Sequence, residues 1–81
     1  MEIEVKLFAM ARQRVGSAVA RIELPAGATV RDLRAAFASQ HPSLAGSVGQ
    51  FRFAIDNEYA GEEAVIPDSA EVACIPPVSG G

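Results

Sequence analysis

Few residues in this chain have the chemistry to act on another molecule, and the ones with a telling position close the sequence: Pro76-Pro77-Val78-Ser79-Gly80-Gly81. Two prolines favour an extended exit from whatever precedes them, and two glycines strip side chains from the last steps of backbone. This makes a thin arm with a bare tip. At ~3.3–3.6 Å per residue it reaches roughly 20 Å, enough to thread a narrow channel in another protein. Its reactive group is the terminal carboxylate of Gly81. With a pKa near ~3.3–3.7 that group is ionised at neutral pH and is a poor electrophile until a leaving group such as an adenylate is attached. The chain offers no catalyst for that step, so activation requires a partner enzyme that uses ATP. Taken alone, a Gly-Gly end fits a frayed terminus equally well.

Two other residues invite a chemical role. Cys74 is the single cysteine and His41 the single histidine, which excludes an internal disulfide and offers no Cys/His metal cluster. Cys74 lies in an apolar strand pattern, where burial raises a thiol pKa and suppresses reactivity, so packing is expected of it and not a persulfide role. His41 precedes Pro42 at a helix end with no acidic or nucleophilic neighbour in sequence, which predicts a surface or capping role. Arg12, Arg14, Arg31 and Arg34 are scattered among acids and read as solvated.

The elements that must carry the arm follow from periodicity. Ile3, Val5 and Leu7 alternate with Glu2, Glu4 and Lys6, which predicts a strand over Glu2 to Phe8. Ala9 to Val15, closed by Gly16, predicts a short helix with a glycine C-cap. Ala18 to Leu24 alternates again before Pro25-Ala26-Gly27, so the first two strands form a hairpin. Thr29 with Asp32 resembles a capping box, and Val30, Leu33, Ala36 and Phe37 share one stripe of a main helix running to about Gln40. His41-Pro42 ends it. Ser43 to Gln50 reads as a loop anchored by Leu44 and Val48. Strands follow at Phe51 to Ile55, Glu58 to Ala60 and Glu71 to Ile75, with turns at Asp56-Asn57 and Asp68-Ser69, and Pro76-Pro77 stops the last.

Eighty-one residues make one domain with a modest core and no room for a deep private active site. With 49% hydrophobic and 21% charged residues and no apolar run near the ~18–20 needed to cross a bilayer, a soluble globular protein without a membrane partner is expected. The opening Met1-Glu2-Ile3-Glu4 does not read as a secretion signal, which predicts a cytoplasmic location. A net charge of −3 argues against nucleic acid and for a partner with a basic docking surface.

Strand, strand, helix, then two or three strands describes an α+β domain: a mixed four- to five-stranded sheet with one main helix across it, matching the ubiquitin-like β-grasp. Residues 1–75 form this domain and residues 76–81 its tail. In this topology the last strand lies beside the first as a central parallel pair.

The whole end of the chain, Asp68, Glu71-Val72-Ala73, Cys74-Ile75 and then Pro76 to Gly81, resembles the small, sulfur-carrying subunit of molybdopterin synthase. Val5-Lys6-Leu7-Phe8-Ala9 with Arg12 and Val15-Gly16, and Ala54-Ile55-Asp56-Asn57, resemble that family's opening strand and helix and its third strand and turn. The sequence departs from the family at Asp68-Ser69-Ala70-Glu71, where Asp-Gly-Asp-Glu is usual, and at Cys74, where a large apolar residue is usual. The resemblance implies that an E1-like adenylating enzyme, using ATP and Mg, activates Gly81, that a sulfur donor protein converts it to a thiocarboxylate, and that the large synthase subunit uses the sulfur to build the pterin dithiolene. The carrier then binds no cofactor or metal and is not an enzyme on its own. Gly80 provides clearance behind Gly81, and Pro76, Pro77, Val78 and Ser79 thread the partner's site. The resemblance also places Phe8, Tyr59 and Ile75 at the subunit contact. A thiamine-type sulfur carrier shares the fold and the Gly-Gly end but usually lacks the Pro-Pro pair. A ubiquitin-like protein modifier, joining Gly81 to lysines, and a β-grasp interaction module with an inert tail are the remaining alternatives.

Overall fold

Alternation in the first seven residues sets up the sheet. The computed structural model describes residues 1–77, and in it strand β1 (Glu2–Leu7) points Ile3, Val5 and Leu7 inward, each no more than 4% exposed, and Glu2, Glu4 and Lys6 outward. Chain reversal through helix α1 (Ala9–Val15) brings strand β2 (Val19–Glu23) antiparallel to it, with Ile3 opposite Ile22 and Val5 opposite Ala20. Gly16 closes α1 at φ 81°, a left-handed conformation that suits glycine. Ala9 enters α1 at φ 50°, where a Cβ is strained by roughly 1–2 kcal/mol.

Helix α2 (Val30–Gln40) begins on the anticipated capping box: Thr29 Oγ1 accepts from the Asp32 amide at 3.3 Å, and Asp32 Oδ2 accepts from the Thr29 amide at 2.9 Å. Val30, Leu33 and Phe37 are buried on its sheet-facing stripe. Phe37 lies 6.2 Å, ring centroid to ring centroid, from Phe53. His41 is the C-cap, and its amide donates to the Phe37 carbonyl at 2.9 Å.

The segment expected as a loop contains two short 3-10 turns, Pro42–Leu44 and Val48–Gln50. Leu44 and Val48 are buried in it, as the anchoring role requires. Strand β3 (Arg52–Ile55) then turns through Asp56 and Asn57, with φ of 50° and 70°, into the two-residue strand β4 (Glu58–Tyr59). Two successive positive φ values are the pattern of a tight type I′ hairpin, which Asp and Asn tolerate well. Strand β5 (Val72–Ile75) completes a five-stranded mixed sheet in the order β2-β1-β5-β3-β4. It runs parallel to β1, with Val5, Lys6 and Leu7 beside Val72, Ala73 and Cys74, and antiparallel to β3. The anticipated strand ends differ from these by a single residue, the usual fraying of ladder assignments.

Candidate docking face and C-terminal arm

Strand β5 lies in the middle of the sheet and is the last element among the described residues. Its alternation buries Val72 and Cys74 while Ala73 and Ile75 point to the outer face of the sheet. Pro76 is buried and Pro77 exposed. Val78, Ser79, Gly80 and Gly81 lie outside the described residues.

Cys74 has no exposed surface and no disulfide. Burial pushes its thiol up to about 12, with the Arg34 charge working against that shift. Such a thiol is neutral at physiological pH and does not act as a nucleophile. His41 is half-buried with its ring 5.5 Å from that of Phe37, a packing contact consistent with a cap.

The structure brings Phe8, Tyr59 and Ile75 together. They come from the end of β1, from β4 and from the end of β5, and with Ala54, Asn57 and Ala73 they line a groove of about 270 Å³ on the outer face. Phe8 is 47% exposed and Tyr59 62%. Register explains the hollow. Ala54 on β3 pairs across the ladder with Ala73 on β5 and with Tyr59 on β4, so two methyl groups form the floor between larger walls. The Arg52 guanidinium stacks 4.7 Å from the Tyr59 ring centroid and steadies one wall. Toward the other end of β5 a smaller hollow of about 100 Å³ continues past Phe8 to Lys6 and Glu71, whose side chains pair at 2.9 Å. Beyond them Glu2, Glu4, Asp68 and Glu71 rim a cleft of about 250 Å³, so the apolar groove has an acidic neighbour.

An apolar floor with exposed aromatic walls and an acidic border can hold a partner's apolar side chains while attracting basic residues at the rim. Ala54, Ala73 and Arg52 escape a reading by residue type, because alanine announces nothing until β3 and β5 are placed in register.

Arg34 corrects the expectation that the arginines are simply solvated. Its guanidinium grips both Glu62 oxygens, donates at 2.7 Å each to the carbonyls of Val48 and Phe51, and sits 5.2 Å from the Phe53 ring centroid. Four acceptors on three residues explain why only a fifth of this side chain is exposed. The hydrogen bond from Arg34 holds the Glu62 carboxyl below the usual carboxylate range, against the opposing desolvation. Arg12, Arg14 and Arg31 are exposed as anticipated, and Arg31 pairs with Glu63 at 2.7 Å on the surface. Among the described residues no cluster of His, Cys, Asp and Glu is placed to hold a metal ion, and no helix is long and apolar enough to cross a membrane.

A mixed sheet in the order β2-β1-β5-β3-β4 with one long helix across it defines a ubiquitin-like β-grasp domain. The chain belongs to the ThiS family, whose model matches residues 5–81. It is similar to the molybdopterin synthase sulfur carrier subunit of Chlamydomonas reinhardtii, at 37% identity over 83 residues covering 100% of both chains. The subunit of the same name from Arabidopsis thaliana is 33% identical, covering 100% of this chain and 84% of that one. Among solved structures, SAMP1 of Haloferax volcanii, a small archaeal modifier protein, superposes with a TM-score of 0.86 at 30% identity, covering 100% of both chains.

Proposed function

We propose that this chain is a sulfur carrier for molybdopterin synthesis, adenylated and then thiocarboxylated at Gly81, with no catalysis of its own. The full-length similarity to molybdopterin synthase sulfur carrier subunits supports this reading most directly. The described residues agree with it: the single thiol is buried and inert, so a sulfur atom must ride elsewhere. An E1-like enzyme using ATP and Mg forms the acyl adenylate. A sulfur donor protein then displaces AMP, leaving a thiocarboxylate. With Pro76 packed on the domain, Pro77 to Gly80 thread the arm into the large subunit of molybdopterin synthase, where the sulfur passes to the pterin. Phe8, Tyr59 and Ile75 dock the domain on that subunit from the outer face of the sheet.

Intact-mass measurement of the protein from cells with and without the adenylating enzyme tests the proposal. Replacement of one terminal oxygen by sulfur, only in cells that hold the enzyme, is expected. An unchanged mass in both overturns it. A second reading, a protein modifier that joins Gly81 to target lysines, is favoured by the likeness to SAMP1. It uses the same adenylate, and isopeptide conjugates in cell extracts would reveal it. A thiamine-type carrier fits less well, because Pro76-Pro77 precedes the glycines.

A further inference from the structure

An activated acyl group is open to attack by any free amine, so the placement of this chain's own amines matters. Lys6 is the only lysine in the sequence. The other amine, at Met1, is half-buried and donates to the Leu24 carbonyl at 2.6 Å, which occupies it in the β1–β2 hairpin. Lys6 stands on the outer face of β1 with 55% of its side chain exposed. Glu71 Oε1 lies 2.9 Å from its Nζ. The Glu71 backbone is itself pinned by Asp56, since the Glu71 amide donates to Asp56 Oδ1 at 2.9 Å and its carbonyl accepts from the Asp56 amide at 2.8 Å. A carboxylate is thus held beside the chain's one free side-chain amine. Lys6 also lines both the acidic cleft and the narrow hollow that leads to Phe8.

We propose that Lys6 is an acyl-acceptor site whose Nζ takes the activated Gly81 carbonyl of a second copy of this chain, forming an isopeptide-linked pair. The inference rests on Gly81 being activated by adenylation. A second copy is the occupant the features fit: a Gly-Gly end has no side chain to obstruct entry to a narrow hollow, and this copy's own β5 passes Lys6 at Ala73 and runs on away from it to Ile75. The chemistry balances with ATP as the co-reactant. Lys6 loses one proton to solvent and attacks as the neutral amine. As the C–N bond forms, the C–O bond to AMP breaks and AMP leaves with its electron pair. The second proton goes to Glu71 Oε1.

Two arms test it. In the first, the full chain is incubated with its adenylating enzyme, ATP and Mg without a sulfur donor, while pyrophosphate release reports activation. In the second, the chain is prepared as a C-terminal thioester and mixed with unactivated chain, which bypasses the enzyme. Linked pairs are expected in both, with a branched tryptic peptide joining Lys6 to Gly81. Lys6→Arg, which retains the charge beside Glu71, lowers their yield at least tenfold, and Glu71→Gln slows them several-fold. Undiminished pairs from Lys6→Arg, closure within a monomer with loss of one water, or pyrophosphate release without pairs overturn the proposal. Absence of pyrophosphate release instead overturns the activation of Gly81, and the thioester arm then decides the role of Lys6.

Discussion

Cys74 and Ile75 are consecutive residues of β5, yet they belong to different regions. Cys74 points into a core closed by Val5, Leu33, Phe37 and Phe53, where no polar side chain among the described residues is buried and a thiol cannot ionise near neutral pH. Ile75 points to an outer face that keeps Phe8 and Tyr59 exposed around a small-residue floor. The inner face is a finished interface. The outer face has the composition of one awaiting its other half, since exposed aromatic residues clustered at a hollow are costly to leave in water. The contrast separates two jobs on one strand: the inner residues hold β5 in the middle of the sheet, and the outer residues present a surface beside the point where the arm departs.

Placing a charge on the outer face breaks this contrast most severely. Phe8→Asp and Ile75→Asp are each expected to weaken binding of the large synthase subunit by at least ~2 kcal/mol, about thirtyfold, because a carboxylate would be desolvated without a partner. Calorimetric titration of the folded variants checks this. The thermal midpoint of Phe8→Asp should stay near the parent value, because nearly half of that side chain is already in water. Unchanged affinity for both variants removes the docking role.

Arg34→Met tests the inner region. Losing the grip on Glu62 and on the carbonyls of Val48 and Phe51 should cost about 2 kcal/mol of stability, read from urea unfolding, with little effect on partner binding. The acid limb carries a signature. The Glu62 carboxyl is held below its ordinary value of 4.5, so its pairing stabilises the fold above that pH and fades as pH falls through the lower folded-state value. In Arg34→Met this part of the acid dependence should disappear.

The smallest effect is expected at Cys74. Cys74→Ser places a hydroxyl in an apolar site and should cost roughly 1–2 kcal/mol in unfolding measurements, while thiocarboxylate formation remains at parental yield. The native thiol should also resist iodoacetamide at pH 7.5 until the protein unfolds. A folded variant that is adenylated but never thiocarboxylated would return a sulfur-handling role to this cysteine.

Much of this was legible in the sequence wherever the determining interactions are local. Alternation around Ile3, Val5 and Leu7, the Thr29–Asp32 box and the Asp56-Asn57 turn each announce an element through neighbours a few residues apart. Three features were not legible, because each depends on packing between segments far apart in the chain. Arg34 reaches Glu62 across 28 residues and reads as an ordinary helix-surface arginine until the loops are folded beneath it. The Ala54–Ala73 floor exists only once register is known. The 3-10 turns around Leu44 and Val48 depend on burial of those two side chains more than on the propensities of the Ser- and Gly-rich segment around them.

Deletion of Gly81 tests the central claim most directly, because it separates the arm from the face. The change shortens the arm by about 3.5 Å, and displacing a reacting atom by even ~1 Å can cost on the order of a hundredfold in rate. In a synthase reconstituted with the large subunit, the adenylating enzyme and a sulfur donor, the deleted form is expected to bind through the outer face and to keep its thermal midpoint, yet to yield almost no dithiolene product. Product at parental yield from the deleted form would contradict the account.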